Sequence, residues 1–292
     1  MNNTVKHCIR KASESFSRFF MATAQTLVSV LRMCVLTSLK TARKARKYEK
    51  LKQTPFCYVL GNGPSLKEVL NEGEIKCGDG DMICVNMFCS SEYFKRLKPK
   101  FYLLCDGQYF NPTNDRTIKQ VHDLIDSLNS VDWPLYLVIP PSISSSCLLL
   151  ASIDNPKVSI LRNNCTEVNG FQCFCHLVYS HRLGMPRCQT VINYALMTAI
   201  NMKYEQVFLF GAEHSWSRDM WVGDDNRLYT GDPHLYKNEK DVIALNHDIA
   251  SECRDLARVF ETHKQIKQYS DVQGVKIINK TKGSFIDAYD RS

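Results

Sequence analysis

Phe56-Cys57-Tyr58-Val59-Leu60-Gly61-Asn62-Gly63-Pro64-Ser65-Leu66 changes character at its midpoint. Its first five residues are apolar and β-prone without polar alternation, which predicts a strand covered on both faces, as in a parallel sheet. Gly61 and Gly63 then let the backbone turn sharply and approach a ligand closely. Pro64 suits a first helical turn, where its missing N–H would be unpaired anyway. Ser65 and the free N–H groups of that turn predict an anion site. The spacing is neither G-x-G-x-x-G nor G-x-x-x-x-G-K-[ST], so the usual dinucleotide fingerprint and the P-loop are both absent.

Runs of the same kind recur downstream at Met82–Val85, Phe101–Cys105, Leu135–Ile139, Val158–Leu161, Val207–Phe210 and Val275–Ile278. They read as strands buried on both faces. Helical patterns lie between them, most clearly at 113–129, 189–202 and 239–264, the last with Asn238 as cap and Asp241 in its first turn. Alternating strands and helices predict an α/β fold, a doubly wound, mostly parallel, Rossmann-like sheet with ligands at the carboxyl ends of its strands. No linker divides residues 54–292, which read as one α/β domain behind an N-terminal extension, 1–53.

The 292 residues are 44% apolar and 23% charged, ordinary for a globular chain and contrary to extensive disorder. The net charge of +7 is unevenly placed. Residues 1–52 hold twelve Lys and Arg against Glu14 and Glu49, a segment at +10, so the remainder sums to −3. A mildly acidic body argues against nucleic-acid binding. Thirteen scattered cysteines, several inside apolar runs, fit a reducing cytosol better than a disulfide framework. Cys173-Phe-Cys175 with His176 and His181 lacks the second cysteine pair of a structural zinc site. Residues 19–39 are apolar but interrupted by Gln25 and Arg32, and a central Arg costs a spanning helix about 2.5–3.5 kcal/mol. An amphipathic helix lying in the inner membrane surface, with the basic run 40–52 beside anionic headgroups, is the expectation; packing on the body or a partner is the alternative.

Gly61-Asn-Gly-Pro-Ser-Leu66 after a strand resembles the opening of the bacterial sialyltransferases of glycosyltransferase family 42. It also resembles the related MptE-like and motility-accessory-factor flagellin-modification domains. The similarity continues in order through Asn86 in Cys84-Val-Asn-Met, Asp106 after Phe101-Tyr-Leu-Leu-Cys, Thr190-Val-Ile-Asn, the strand ending at Gly211, and Asn279-Lys-Thr-Lys-Gly-Ser284. The resemblance implies a GT-A-variant fold and transfer of a nucleotide-activated sugar, CMP-sialic-acid-like or other, to a surface polysaccharide such as lipopolysaccharide or another glycoconjugate. It implies no metal and no cofactor beyond the CMP-linked or other donor as co-substrate. Its partners would be that donor, a glycan acceptor and the inner membrane surface through residues 1–52, at the cytoplasmic face. Self-association into a homo-oligomer stays open.

By the same resemblance Gly61, Asn62, Gly63 and Ser65 meet phosphate or ribose, and Asn86 and Asp106 meet nucleotide or sugar. Thr190, Gly211, Glu213, Trp216, Trp221 and Ser284 complete the donor site. Trp216 and Trp221 stand where the family carries tyrosines, and Asp106 replaces an amide, which leaves the nucleotide open. Arg182 and Arg187 offer guanidinium forks for a phosphate or a sugar carboxylate. His247 aligns best with the family's general base, placed by the residues in the long helix, with His214 and His234 as rivals. Asp224-Asp225-Asn226 reads as a solvated turn. The alternatives are an MptE-like pyrophosphate transferase, whose magnesium would need Asp106 and Glu213, and a non-catalytic nucleotide-binding or scaffold module.

Overall fold

Along β1 (Phe56–Leu60) the side chains alternate between two cores. Cys57 and Val59 enter one, Leu60 and the partly buried Tyr58 the other. A strand with apolar residues on both faces needs a helical layer on each side, and the chain supplies both. The computed structural model describes residues 3–232, 235 and 241–291.

The elements run α1 (Asn3–Leu36), α2 (Leu39–Ala45), β1, α3 (Leu66–Asn71), β2 (Asp81–Val85), α4 (Tyr93–Leu97), β3 (Phe101–Leu103), α5 (Asp115–Asn129), β4 (Leu135–Ile139), α6 (Leu148–Ala151) and β5 (Val158–Arg162). There follow α7 (Gln172–Ser180), α8 (Val191–Asn201), β6 (Gln206–Phe210), β7 (Met220–Val222), β8 (Leu228–Asp232), β9 (Asp241–Ala244), α9 (Ile249–Gln273) and β10 (Lys276–Asn279). Seven strands form one sheet in the order β10-β6-β1-β2-β3-β4-β5, every neighbouring pair parallel. One core joins the sheet to α7, α8 and α9; the other joins it to α3, α4 and α5. The expected Rossmann-like α/β sheet is therefore present, preceded in the chain by the N-terminal helix α1.

The order of strands sets where a ligand fits. The chain steps from β1 through β5 in one direction, then returns to place β6 on the other side of β1. The loops after β1 and β6 consequently leave the sheet toward opposite faces and open a crevice at their carboxyl ends.

Three expectations are corrected. The edge strand β5 is partly exposed along its length rather than buried on both faces, because only β4 pairs with it. The long helix begins at Ile249, with Asp248 as its cap accepting from Ser251 N–H at 2.7 Å, and runs to Gln273. Residues 241–244 are instead strand β9 of a small antiparallel sheet, β7-β8-β9. The turn between β7 and β8 carries Asp225, whose carboxylate accepts from Arg227 N–H and Tyr229 Oη.

Residues 37–52 pack into the body. Ala45 and Tyr48 join the core shared with α7 and α8, and Tyr48 Oη donates to the Arg162 carbonyl at 2.9 Å.

Candidate functional site

At the crevice between β1 and β6 two glycines meet. Gly61 N–H donates to the Phe210 carbonyl at 2.8 Å and Gly63 N–H to the Gly211 carbonyl at 2.9 Å. A methyl group on Gly61 would strike the Gly211 carbonyl, and Gly211 itself adopts φ +64°. The two loops thus come together only because neither carries a side chain there.

They wall a cleft of about 490 Å³, a size suited to a small organic ligand. Asn62 and Gly63 line it from the β1 end, Asn86 from β2, Cys105 and Asp106 from β3, and Gly211 to Trp216 from β6. Cys188, Gln189 and Thr190 close it from the loop before α8, and Asp219 from the turn after Trp216. Asn62, Gly63, Asn86, Asp106, Thr190, Gly211, Glu213, His214 and Trp216 are thereby gathered in one place.

Three buried polar atoms of this wall have no partner among the described residues: Asn62 Oδ1, Asn86 Oδ1 and His214 Nε2. Buried polar atoms are nearly always paired, so three orphans on one cleft mark where a ligand's polar groups belong. Asn62 is held by Nδ2 donating to the Val85 carbonyl at 3.1 Å, which leaves its oxygen as the free end. Asn86 has φ +49°, and its own carbonyl accepts from Tyr102 Oη.

His214 is buried and adopts φ +50°. Its ring stacks on Trp216 with centroids 4.6 Å apart and lies 5.1 Å from His263. Burial pulls its pKa down to about 3, so the ring is neutral around pH 7. His263 is fully buried behind it, bonded to Tyr289 Oη at 2.9 Å and to the Asn193 amide at 3.4 Å. Its pKa is lowered too, by burial first and by the neighbouring His214 second.

The expected anion site at the start of α3 holds a carboxylate of the chain itself. Glu213 Oε1 accepts from Ser65 N–H at 2.8 Å, and the same carboxylate lies over Gly63 where a Cβ would be. Ser65 does not line the cleft; it anchors Glu213. Thr190 lines the cleft but also caps α8 in a reciprocal box with Asn193.

Other expected residues sit elsewhere. His247 precedes α9 instead of lying within it; its ring pairs with Glu252, and it lines a separate surface hollow with Arg227 and Asp248. Trp221 is in β7, half-exposed, stacked on Tyr229. Ser284 Oγ donates to the Ala212 carbonyl at 2.8 Å, and Phe285 N–H to the Glu213 carbonyl at 2.7 Å, so the C-terminal loop braces the segment bearing Glu213 and His214 from behind. Arg182 bonds to the Ser180 and Asn201 carbonyls and Arg187 to Gln189, both off the cleft wall. His234 lies outside the described residues, next to Leu235, whose N–H donates to the Asn62 carbonyl at 2.7 Å.

Cys105, Cys188, Gln189, Asp219 and the supporting His263 were not anticipated. Cys105 follows a strand and Cys188 and Gln189 precede a helix cap, the only sequence signal they carry; Asp219, in the turn after Trp216, and His263, inside α9, carry none. Among the described lining residues there are three carboxylates, Asp106, Glu213 and Asp219, and no Lys or Arg. The described residues contain no group of three or more His, Cys, Asp or Glu able to hold a metal ion.

No family model matches the chain, and no curated protein matches its sequence. Among solved structures it is similar to the MAf glycosyltransferase from Magnetospirillum magneticum AMB-1, with a TM-score of 0.47 and 11% identity. The match covers 86% of this chain but 38% of that one, so this chain spans about two fifths of that protein's length.

Proposed function

We propose that the chain is a glycosyltransferase that moves a sugar from a nucleotide-activated donor to a hydroxyl of a polysaccharide or glycoconjugate acceptor. The observation that carries the reading is the set of orphaned atoms on the switch-point cleft. Two amide oxygens and carboxylates present acceptors, and the matching ligand is rich in donors: the hydroxyls of ribose and sugar, or an exocyclic amine. The stacked His214 and Trp216 rings supply an apolar platform for a sugar's C–H face or a base.

In the reaction an acceptor oxygen bonds to the anomeric carbon as the bond from that carbon to the donor phosphate breaks. The nucleotide leaves with the electron pair, and the acceptor proton passes to a base. Of the two candidate histidines among the described residues, His214 lines the cleft and His247 does not, but a pKa near 3 makes His214 a weak base and a better neutral hydrogen-bonding group. The proposal therefore assigns the proton to a carboxylate, Asp106, which lines the cleft and accepts from Gln108 N–H and Nε2 at its outer edge. A CMP-sialic-acid-like donor, transfer without metal and a sialyltransferase-type specificity are the finer form of this proposal.

The three carboxylates and the lack of a described lining cation favour a second reading. A nucleotide phosphate beside Asp106, Glu213 and Asp219 is repelled unless a counter-ion accompanies it. An MptE-like, magnesium-dependent transfer of a pyrophosphoryl group is that second reading; its ion would arrive with the nucleotide, since the described residues hold no group of three or more metal ligands of their own.

Incubation of the full chain with a panel of sugar nucleotides and oligosaccharide acceptors, with and without EDTA, separates the two. Released nucleotide equal to new glycosidic bond, unaffected by EDTA, supports the first reading. Pyrophosphorylated acceptor formed only with magnesium supports the second. No turnover with any donor overturns both in favour of a non-catalytic module.

A further inference from the structure

Helix α1 is turned inside out relative to an ordinary surface helix, which buries its apolar stripe. Its body-facing stripe is Ala22, Thr26, Ser29 and Met33, three or four residues apart. Thr26 Oγ1 accepts from Phe171 N–H at 3.1 Å. Ser29 Oγ donates to the Asn169 carbonyl at 2.7 Å and accepts its N–H at 2.8 Å. Gly170 permits this approach, since a methyl group there would strike Thr26. Farther along, Arg32 pairs with Glu167 at 3.1 Å and Thr37 donates to the Leu183 carbonyl at 2.9 Å.

At 100° per residue the roughly opposite face carries Phe16, Phe20, Leu27, Leu31 and Val35. Each of these is 62–81% exposed. So contiguous an apolar face on a soluble surface marks an interaction site. Immediately after it stand Lys40, Arg43, Lys44, Arg46, Lys47 and Lys50, all exposed, with Glu49 the sole acidic residue between positions 37 and 52.

We infer that α1 and the basic segment 40–50 form an in-plane docking surface for an anionic lipid bilayer, with the phenylalanines and aliphatic residues of α1 among the acyl chains and the cations of that segment at the headgroups. The charge selects the occupant. A second copy paired through this face would set one +10 segment against another, whereas anionic headgroups neutralise it. The hydrogen bonds select the orientation. Ser13–Leu36 is long and apolar enough to cross a bilayer. Crossing, however, would carry residues 166–171, their backbone bonds and the Arg32–Glu167 pair into hydrocarbon, where unsatisfied polar groups are not tolerated. Lying flat leaves that polar side on the body and the apolar side in lipid. The inference is independent of what the cleft binds.

Flotation of the full chain with phosphatidylcholine vesicles, with or without about one third phosphatidylglycerol, tests it. Binding at least tenfold stronger to the anionic vesicles, weakened by salt, is expected. Leu27→Glu/Leu31→Glu should abolish it, and Arg43→Glu/Lys44→Glu/Lys47→Glu should remove the preference for anionic lipid; in both, the unfolding midpoint should stay unchanged because these side chains face outward. Three results would overturn it: flotation that ignores lipid charge, a dimer in sedimentation equilibrium that Leu27→Glu/Leu31→Glu dissolves without any vesicle binding, or, after reconstitution into sealed vesicles, a label at the N-terminus that reacts with an impermeant reagent only on the side opposite the body, which would mean α1 spans.

Discussion

His214 ties the site to the stability of the fold in a way pH reads directly. Its pKa is drawn down to about 3 in the folded chain by burial, against about 6.5 when unfolded. A lowered folded pKa means the unfolded state takes up the proton first. The contribution is therefore complete above about pH 6.5 and is lost as pH falls toward 3. From pH 7.5 to pH 5 the loss from this residue is about 2 kcal/mol, approaching about 1.4 kcal/mol per pH unit below that. His263 adds to the same trend, since burial and the neighbouring ring lower it as well. Tyr289, which faces His263, is pushed up by burial and stays protonated throughout. Exposed carboxylates with lowered pKa, such as Asp225 and Asp248, act only at the acid end, below their ordinary range. The assay is urea unfolding of wild type and His214→Gln at both pH values. The variant loses the stack on Trp216 at either pH, so only the difference between pH values counts. Wild type should lose about 2 kcal/mol more than His214→Gln over the interval; equal losses would refute the buried neutral ring.

Gly61→Ala should cost more than about 3 kcal/mol by chemical denaturation, because its methyl group meets backbone, the Gly211 carbonyl, that cannot rotate aside. Thr190→Ala should cost about 1 kcal/mol by the same method through loss of the α8 cap. His247→Ala should leave ligand binding in the cleft unchanged by titration, since it lines another hollow; a tenfold loss would return His247 to the site.

Every strand of the main sheet was legible because each is a short run with apolar residues on both faces and a turn behind it. The small sheet β7-β8-β9 was not: Met220–Val222, Leu228–Asp232 and Asp241–Ala244 are too short and too polar to show a period. Asn238 and Asp241 imitated a helix cap there, and the true cap, Asp248 with Ser251, lies beyond β9. In the site, residues directly after a strand were legible, as with Asn62, Asn86, Asp106 and His214. Cys188 and Gln189 reach the cleft through the loop before α8, and His263 reaches His214 from the middle of α9, a proximity that only tertiary packing creates. Ser65 and Ser284 were expected at the ligand but bond to the chain instead, Ser65 N–H to the Glu213 carboxylate and Ser284 Oγ to the Ala212 carbonyl, because the chain supplies its own carboxylate where an anion was expected.

The most direct measurement is thermal unfolding of the full chain with CMP, CDP, UMP, UDP, GDP, ADP and their sugar conjugates, each with and without EDTA, beside Asn62→Ala. Ligand at about 100 times its dissociation constant stabilises by about 2.7 kcal/mol, an easily resolved shift. The account predicts a shift with one nucleotide class that disappears in Asn62→Ala. No shift with any of them, or a shift that Asn62→Ala retains in full, would contradict a nucleotide-sugar site in this cleft.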